Sequence, residues 1–355
     1  MGFKILAINP GSTSTKVALF EDDRLLFQQK ITHPMEQLKQ YTELWDQFDL
    51  RKKAVEDFLA EKGIAANDLS AVVGRGGLIK PISGGTYLVN EAMIHDAKIG
   101  LQGVHAANLA CAIARSIAEQ AGVNAYVVDP ISVDEFEPLA RYSGHPLIER
   151  RALAHTLNIH AVGRMAAEKL GVDYQKTNLI IAHLGGGISI CPLKGGRIID
   201  VNDASSSGPF SPERTGELPL QQFIKLCFSG EYTQDQMRKL IMGEGGLTAY
   251  LKTNSAVEVE KRIEQGDEKA KEVYEAMAYQ IAKEIGAMAT VIKGDVRAIV
   301  ISGGLANSKM LIDWITDRVK FIAEVLVLPG EFEMEALAKG VLRVLRNEEQ
   351  PKIYQ

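Results

Sequence analysis

"KILAINPGSTSTKVALFEDDRLL", residues Lys4 to Leu26, decides how this 355-residue chain is read. An apolar run stops at Asn9-Pro10-Gly11. Four hydroxyl residues follow, Ser12, Thr13, Ser14 and Thr15, and Lys16 leads into a second apolar run. Short apolar runs separated by Gly, Pro and Asp-Asp predict strands joined by tight turns. "FKILAIN" and "TKVALF" are the first two strands, and "RLLFQQKI" is the third, beyond Asp22-Asp23.

The pattern returns in "NLIIAHLGGGISICPLKGGRIIDVN". A shift of 173 (179 − 6) lays Leu6-Ala7-Ile8 on Leu179-Ile180-Ile181 and Ser12-Thr13-Ser14 on Gly185-Gly186-Gly187. Asp22 to Leu26 then falls on Gly195 to Ile199 with no gap. Two such three-strand units, each followed by helices and further short strands, predict a duplicated domain. The intervening segments support this. A helix ends near Glu61 with Gly63 as its stop, one ends at Gly122, and one in "ERRALAHTLNIHAVGRMAAEKLG" ends at Gly171. Thr233 is placed to cap "QDQMRKLIMG", a long helix spans about Asp267 to Lys293, and "EMEALAKGVLRVL" is an amphipathic helix. The expected architecture is α/β, in two lobes with a central cleft.

Composition bounds the function. The length suits two domains. The net charge of −5 is mild and argues against nucleic acid or an anionic membrane as main partner. Three cysteines, Cys111, Cys191 and Cys227, match no zinc spacing and fit a reduced, cytoplasmic setting. No run is apolar for the ~20 residues that span a bilayer, and no signal-peptide pattern is expected at the N-terminus.

Three glycine-bearing turns are candidates for phosphate: around Gly11, at Gly185–Gly187 and at Gly303-Gly304. Backbone N–H groups in such turns can converge on anionic oxygens, and glycine permits close approach. The third turn lies between a strand and a helix, where the helix N-terminus also favours anions. There is neither a Walker pattern nor a GxGxxG after a strand, which disfavours P-loop and dinucleotide-binding folds.

The order of these features resembles the acetate and sugar kinase, Hsc70 and actin superfamily. "NPGSTSTK" is similar to the "N-x-G-S-S-S-x-K" signature of the acetate kinase (acetokinase) family. With Pro10 it is most similar to members that phosphorylate butyrate. "VVGRGG" (Val72–Gly77), "HAAN" (His105–Asn108), Asp129, "AH" (Ala154-His155), "HLGGG" (His183–Gly187), "SPERTGELP" (Ser211–Pro219), "ISGGLANS" (Ile301–Ser308) and "EMEALA" (Glu333–Ala338) follow in the family's order over nearly the whole chain.

The resemblance implies two duplicated ribonuclease-H-like, actin-like ATPase domains. The first would be an acyl-kinase lobe of residues 1–150 plus 334–355, and the second a nucleotide-binding lobe of 151–333. It implies roles for matched residues. Asn9 and Glu333 would organise Mg²⁺, with Mn²⁺ as a substitute. Arg75 and Arg214 would hold the carboxylate and the phosphoryl group, Asp129 would orient Arg214 or the metal, and His155 would hydrogen-bond the phosphoryl oxygens. Ser12, Thr13, Ser14 and Lys16, then His183 with Gly185, Gly186 and Gly187, would meet nucleotide phosphates. Gly303, Gly304 and Asn307 would lie against the adenosine, and Val73, Val104, His105 and Ala154 would line the acyl group. Two stretches depart from the family. "AVVGRGG" shifts the arginine along its turn, so the carboxylate ligand is Arg75 or a neighbour. "TNSAVEVE" (Thr253–Glu260) lacks the arginine found near adenine, so contacts there stay open.

The activity implied is reversible phosphoryl transfer from ATP to a short carboxylate such as butyrate, giving an acyl phosphate and ADP. Acetate or propionate as acceptor is an alternative, as is an actin- or Hsc70-like ATPase without a small-molecule acceptor. No chaperone-type substrate module is expected after the second lobe. A homo-oligomer, dimer or higher, is the implied assembly. The electrostatics suit a kinase of acids. The acceptor is ionised at pH 7 and needs no general base, but an anionic nucleophile must approach an anionic donor. Arginines and a divalent cation answer that need.

Overall fold

The computed structural model describes residues 2–355. Its chain separates into two compact units, Met1–Asp134 with Phe332–Gln355, and Glu135–Glu331.

In the first unit, β1 (Lys4–Pro10), β2 (Ser14–Glu21) and β3 (Arg24–Thr32) form an antiparallel meander. β4 (Ala71–Arg75) lies parallel to β1, and β6 (Ala125–Val128) parallel to β4. β5 (Thr86–Leu88) and the C-terminal β12 (Lys352–Ile353) complete the order β12-β5-β6-β4-β1-β2-β3. Because side chains alternate across a strand, each strand serves two layers. Leu6, Ile8, Val17, Leu19 and Val72 pack with Val55, Phe58, Leu109, Ile113 and Ile117 from helices Phe48–Glu61 and Leu109–Ala121. Helix Glu333–Leu345 covers β1, β4 and β6. It approaches closely because Gly340 has no side chain: a Cβ there would lie 2.6 Å from Val128.

The second unit repeats the plan. β7 (Asn178–Leu184), β8 (Ile188–Lys194) and β9 (Arg197–Ile198) are antiparallel neighbours, with β10 (Ala298–Gly303) parallel to β7 and β11 (Val325–Pro329) parallel to β10. The order β11-β10-β7-β8-β9 matches β6-β4-β1-β2-β3 strand for strand. Ile180, Ala182, Ile190 and Ile299 pack with Tyr274, Met277, Ile281 and Ile315 of helices Glu268–Val291 and Lys309–Val319. Helices stop where expected at Gly122 and Gly171, whose φ values of 68° and 65° suit a residue without Cβ. Thr233 closes a capping box with Gln236.

Two expectations are corrected. The repeat is not gapless. Four residues, Gly11 to Ser14, separate the paired Pro10 and Thr15, whereas three, Gly185 to Gly187, separate Leu184 and Ile188. Matching β2 to β8 by a shift of 173 therefore sets β1 and β7 one residue apart. Residues from 135 to 150 belong with the second unit rather than the first. Glu135 accepts the Ile198 N–H (2.9 Å), the Glu137 N–H donates to the Ile199 carbonyl (3.0 Å), and Arg150 pairs with Asp200 (2.7 Å). Within "ERRALAHTLNIHAVGRMAAEKLG" the helix occupies Thr156–Leu170 and stops at Gly171 as expected. Helix Glu91–Ile99 and strands β5 and β12 had no separate expectation.

Candidate active-site residues

Within the first unit, Asn9 stands near the end of β1 and Lys16 is its cross-strand partner on β2, so both side chains lie on one face of the sheet. On that face Asn9 donates its side-chain amide to Glu333 Oε2 (2.8 Å), and Arg75 Nη1 lies 3.0 Å from Glu333 Oε1. Asn9 and Glu333 are 324 residues apart in sequence. Arg75 is 7 % exposed, and its Nη1 makes no aligned hydrogen bond among the described residues, despite its closeness to Glu333. An arginine so buried holds donor capacity for an anion.

Asp129, just beyond β6, adopts φ 40°, an unusual value for a residue with a side chain, and its Oδ1 accepts the Gly85 N–H (2.6 Å). His105 begins a short 3-10 turn and its Nδ1 accepts the Ala107 N–H (3.1 Å). Although its side chain reaches the surface, desolvation lowers its pKa; the Arg75 charge acts the same way and Glu333 opposes it. Val104 beside it is 72 % exposed. Val73 has no exposed surface at all, so its place is in the core of the sheet and not in a wall that a substrate touches.

The hydroxyl-rich turn has a support that the sequence reading missed. Ser12 and Thr13 form its exposed tip. Beneath it lies Arg51, fully buried, donating to the carbonyls of Gly11 (2.9 Å), Ser12 (3.0 Å) and Ser14 (3.1 Å). His33 Nε2 meets the Thr15 hydroxyl at 2.8 Å, and that hydroxyl also accepts from Arg51. In "LRKKAVEDFL" Arg51 looks like one of three solvated cations. A signal was there: Arg51, Val55, Phe58 and Leu59 recur at helical spacing on one face.

In the second unit, the three-glycine turn between β7 and β8 carries Arg214 against it. A Cβ on Gly187 would fall 2.3 Å from Arg214 Nη1 and 2.6 Å from Cζ. Arg214 donates to the Ala204 carbonyl (2.7 Å) and has no carboxylate within 4.0 Å among the described residues, so Glu213 and Glu217 do not pair with it. Desolvation lowers its pKa, with Glu213 and Asp203 opposing, but a guanidinium stays charged. Ser211 ties the arrangement, donating to the Gly186 carbonyl (2.6 Å) and accepting the Arg214 N–H (3.2 Å).

The rings of His155 and His183 lie 4.4 Å apart. His155 Nδ1 meets Ser189 Oγ at 2.9 Å and His183 Nδ1 meets Ser302 Oγ at 3.4 Å, so serines on β8 and β10 orient both imidazoles. Ala154, before His155, is 9 % exposed. Gly303 has a structural reason to be glycine: a Cβ there would lie 2.2 Å from the Leu184 carbonyl oxygen. Gly304 has open space, and Asn307 donates back to its carbonyl (3.0 Å).

No group of three His, Cys, Asp or Glu side chains among the described residues could hold a metal by itself. Asn9 and Glu333 nevertheless bring an amide and a carboxylate together. Oxygen donors so few suit a hard divalent cation that keeps most of its shell as water and phosphate oxygens. No helix among the described residues is long and apolar enough to cross a membrane.

Two units of one repeated topology, each closing its first hairpin with a hydroxyl- or glycine-rich turn, define an actin-like kinase fold. An acetate kinase of Porphyromonas gingivalis shares it with a TM-score of 0.81 at 20% identity, covering 97% of this chain and 100% of that one. A propionate kinase from Francisella tularensis subsp. tularensis SCHU S4 gives 0.75 at 18% identity, over 95% and 98%. In sequence, a probable butyrate kinase 2 of Caldanaerobacter subterraneus subsp. tengcongensis is 54% identical over 352 residues, 99% of each chain. The model of the acetokinase family matches residues 140–326. The chain belongs to the acetokinase family of carboxylate kinases.

Proposed function

We propose that this protein is a butyrate kinase that transfers the γ-phosphoryl group of ATP reversibly to butyrate. The observation that carries this choice of acceptor is the 54% identity, end to end, with a relative named a probable butyrate kinase. In the forward direction a carboxylate oxygen attacks the γ-phosphorus. The bond from that phosphorus to the β,γ-bridging oxygen breaks, its electron pair stays on ADP, and butyryl phosphate forms. No proton is transferred, because the acid is ionised beforehand.

The chain's residues then have electrostatic and positioning work. We assign Arg75 to the acyl carboxylate, supported by its buried Nη1 with hydrogen-bonding capacity to spare. Arg214 is assigned to the transferring phosphoryl group, supported by its lack of a carboxylate partner and its contact with the glycine turn. His155, held by Ser189, donates to phosphoryl oxygens, and Asp129 orients its neighbours. The Ser12-Thr13-Ser14 turn with Lys16, and His183 with Gly185–Gly187, take phosphates of the nucleotide. Gly304 and Asn307 lie toward the adenosine, and Val104, His105 and Ala154 toward the acyl chain. Asn9 and Glu333 would hold Mg²⁺, which supplies charge neutralisation at the phosphates when bound. The first unit is thereby the acyl lobe and the second the nucleotide lobe of a cytoplasmic homo-oligomer.

A hydroxamate assay of the purified protein with MgATP and straight-chain acids of two to five carbons tests this reading. The expected result is the highest kcat/KM for the four-carbon acid. ATP hydrolysis that no acid stimulates would refute the kinase reading, and a preference for acetate would refute the choice of butyrate.

A further inference from the structure

A buried arginine that meets no carboxylate is uncommon, because a charge removed from water is normally paired. Arg51 is one. All of its contacts are with neutral acceptors: three turn carbonyls, the Thr15 hydroxyl, and Gln47 Oε1, which takes both Nε (3.1 Å) and Nη2 (3.0 Å). No acidic group lies within 4.0 Å of it among the described residues, and His33, which shares the Thr15 hydroxyl with it, has its pKa lowered by burial first and by this charge second.

The carbonyl contacts set the direction of the turn's N–H groups. Every peptide bond here is trans, and a planar trans peptide points its C=O and N–H to opposite sides. With the Gly11 and Ser12 carbonyls drawn inward onto Arg51, the N–H groups of Ser12 and Thr13 point outward. Neither donates to another group among the described residues, and both residues are exposed. Two successive outward N–H groups make a small anion-binding concavity.

We propose that Arg51 is a positioning residue for phosphate. Its guanidinium fastens the Gly11–Ser14 turn with the Ser12 and Thr13 N–H groups facing outward, and backs them with an uncompensated positive charge. The ligand is a phosphate group of the nucleotide, so the inference rests on the reading of this turn given above. Arg51 does not touch the ligand; it acts through the turn. Its charge lies behind a single layer of backbone, where a unit interaction at an effective dielectric near 20 amounts to about tenfold in affinity.

Gln47→Glu separates charge from structure. The carboxylate replaces an amide of the same shape, keeps both hydrogen bonds from Arg51 and cancels its charge. The dissociation constant of MgADP, measured by titration calorimetry, is expected to rise about tenfold, while the melting temperature does not fall and the KM for butyrate stays within twofold. A second series guards against misfolding of that variant. Arg51→Lys keeps the charge but cannot span three carbonyls, and Arg51→Met loses both charge and span. MgADP affinity is expected to fall in the order wild type, Lys, Met, again without a matching change in the KM for butyrate. An unchanged MgADP constant in Gln47→Glu, or, should that variant not fold, equal effects on both substrates in the Arg51 series, overturns the proposal. Wild-type protein that phosphorylates no acid, yet binds MgADP more tightly than Gln47→Glu does, would overturn the kinase reading and leave Arg51's role standing.

Discussion

Gly187→Ala should damage the reaction without damaging the fold. Gly187 does not have a positive φ, so alanine costs little in its backbone. The new methyl would fall 2.3 Å from Arg214 Nη1, 2.6 Å from Cζ and 3.1 Å from Nη2. Carbon atoms in good contact sit about 3.5–4.0 Å apart, so the guanidinium must retreat by roughly 1 Å. Arg214 can do so, being the flexible end of a long side chain, and stability should hardly change. A misplacement of about 1 Å in a group that stabilises the transition state costs about 10²-fold in turnover. Removing the group altogether, in Arg214→Ala, should cost roughly 10²–10³, or about 2.7–4 kcal/mol. The assay is kcat for butyryl hydroxamate formation in wild type, both single variants and the double variant. If the methyl acts only by moving Arg214, the double variant is no slower than Arg214→Ala alone. Full additivity, or a kcat within threefold of wild type for folded Gly187→Ala, would refute the claim that Arg214's position over this turn matters.

Other expectations address separate parts of the molecule. Ala154→Phe should raise the KM for butyrate far more than that for acetate, since the larger side chain takes volume from the acyl site proposed for this position. Two methylenes at about 0.8 kcal/mol each make roughly tenfold, and equal responses of the two acids would place the acyl pocket elsewhere. Glu333→Gln should raise the free Mg²⁺ concentration for half-maximal activity at least tenfold, as roughly expected when one of few charged ligands is lost; an unchanged Mg²⁺ titration would move the metal away from this carboxylate. Stability should also depend on His33. Burial and the Arg51 charge lower its folded-state pKa below the ordinary 6.5, so the unfolded chain takes up this proton first as pH falls. The stabilisation is complete above pH 6.5 and is lost as pH falls from 6.5 toward the lower folded value. Denaturant midpoints measured across that range should decline more steeply for wild type than for His33→Gln, and parallel curves would show that His33 does not contribute.

Reading the sequence alone recovered what is local. Strand–turn–strand units are written in consecutive residues, because apolar runs and turn formers act within a few positions of each other. The hairpins at Lys4–Glu21 and Asn178–Lys194 were visible for that reason, as were helix ends at Gly122, Gly171 and Thr233. The ordered motifs likewise marked Arg75, Arg214, His155, His183 and Glu333 as candidate site residues. What tertiary structure decided is which of them meet, and on what support. The Asn9–Glu333 hydrogen bond joins the first strand to the last helix, and nothing in either local segment specifies it. β12 adds to the sheet edge beside β5 from the far end of the chain, a pairing of two-residue registers too short to leave a pattern. Val73 reads like a pocket residue but is covered, since β4 lies between β1 and β6 with layers on both faces. Arg51 reads like a surface cation but is fully buried beneath a turn 37 to 40 residues earlier in the chain. Local periodicity reports which face of an element is apolar; only the packed chain shows what that face is set against, because burial and pairing are made by residues far apart in sequence.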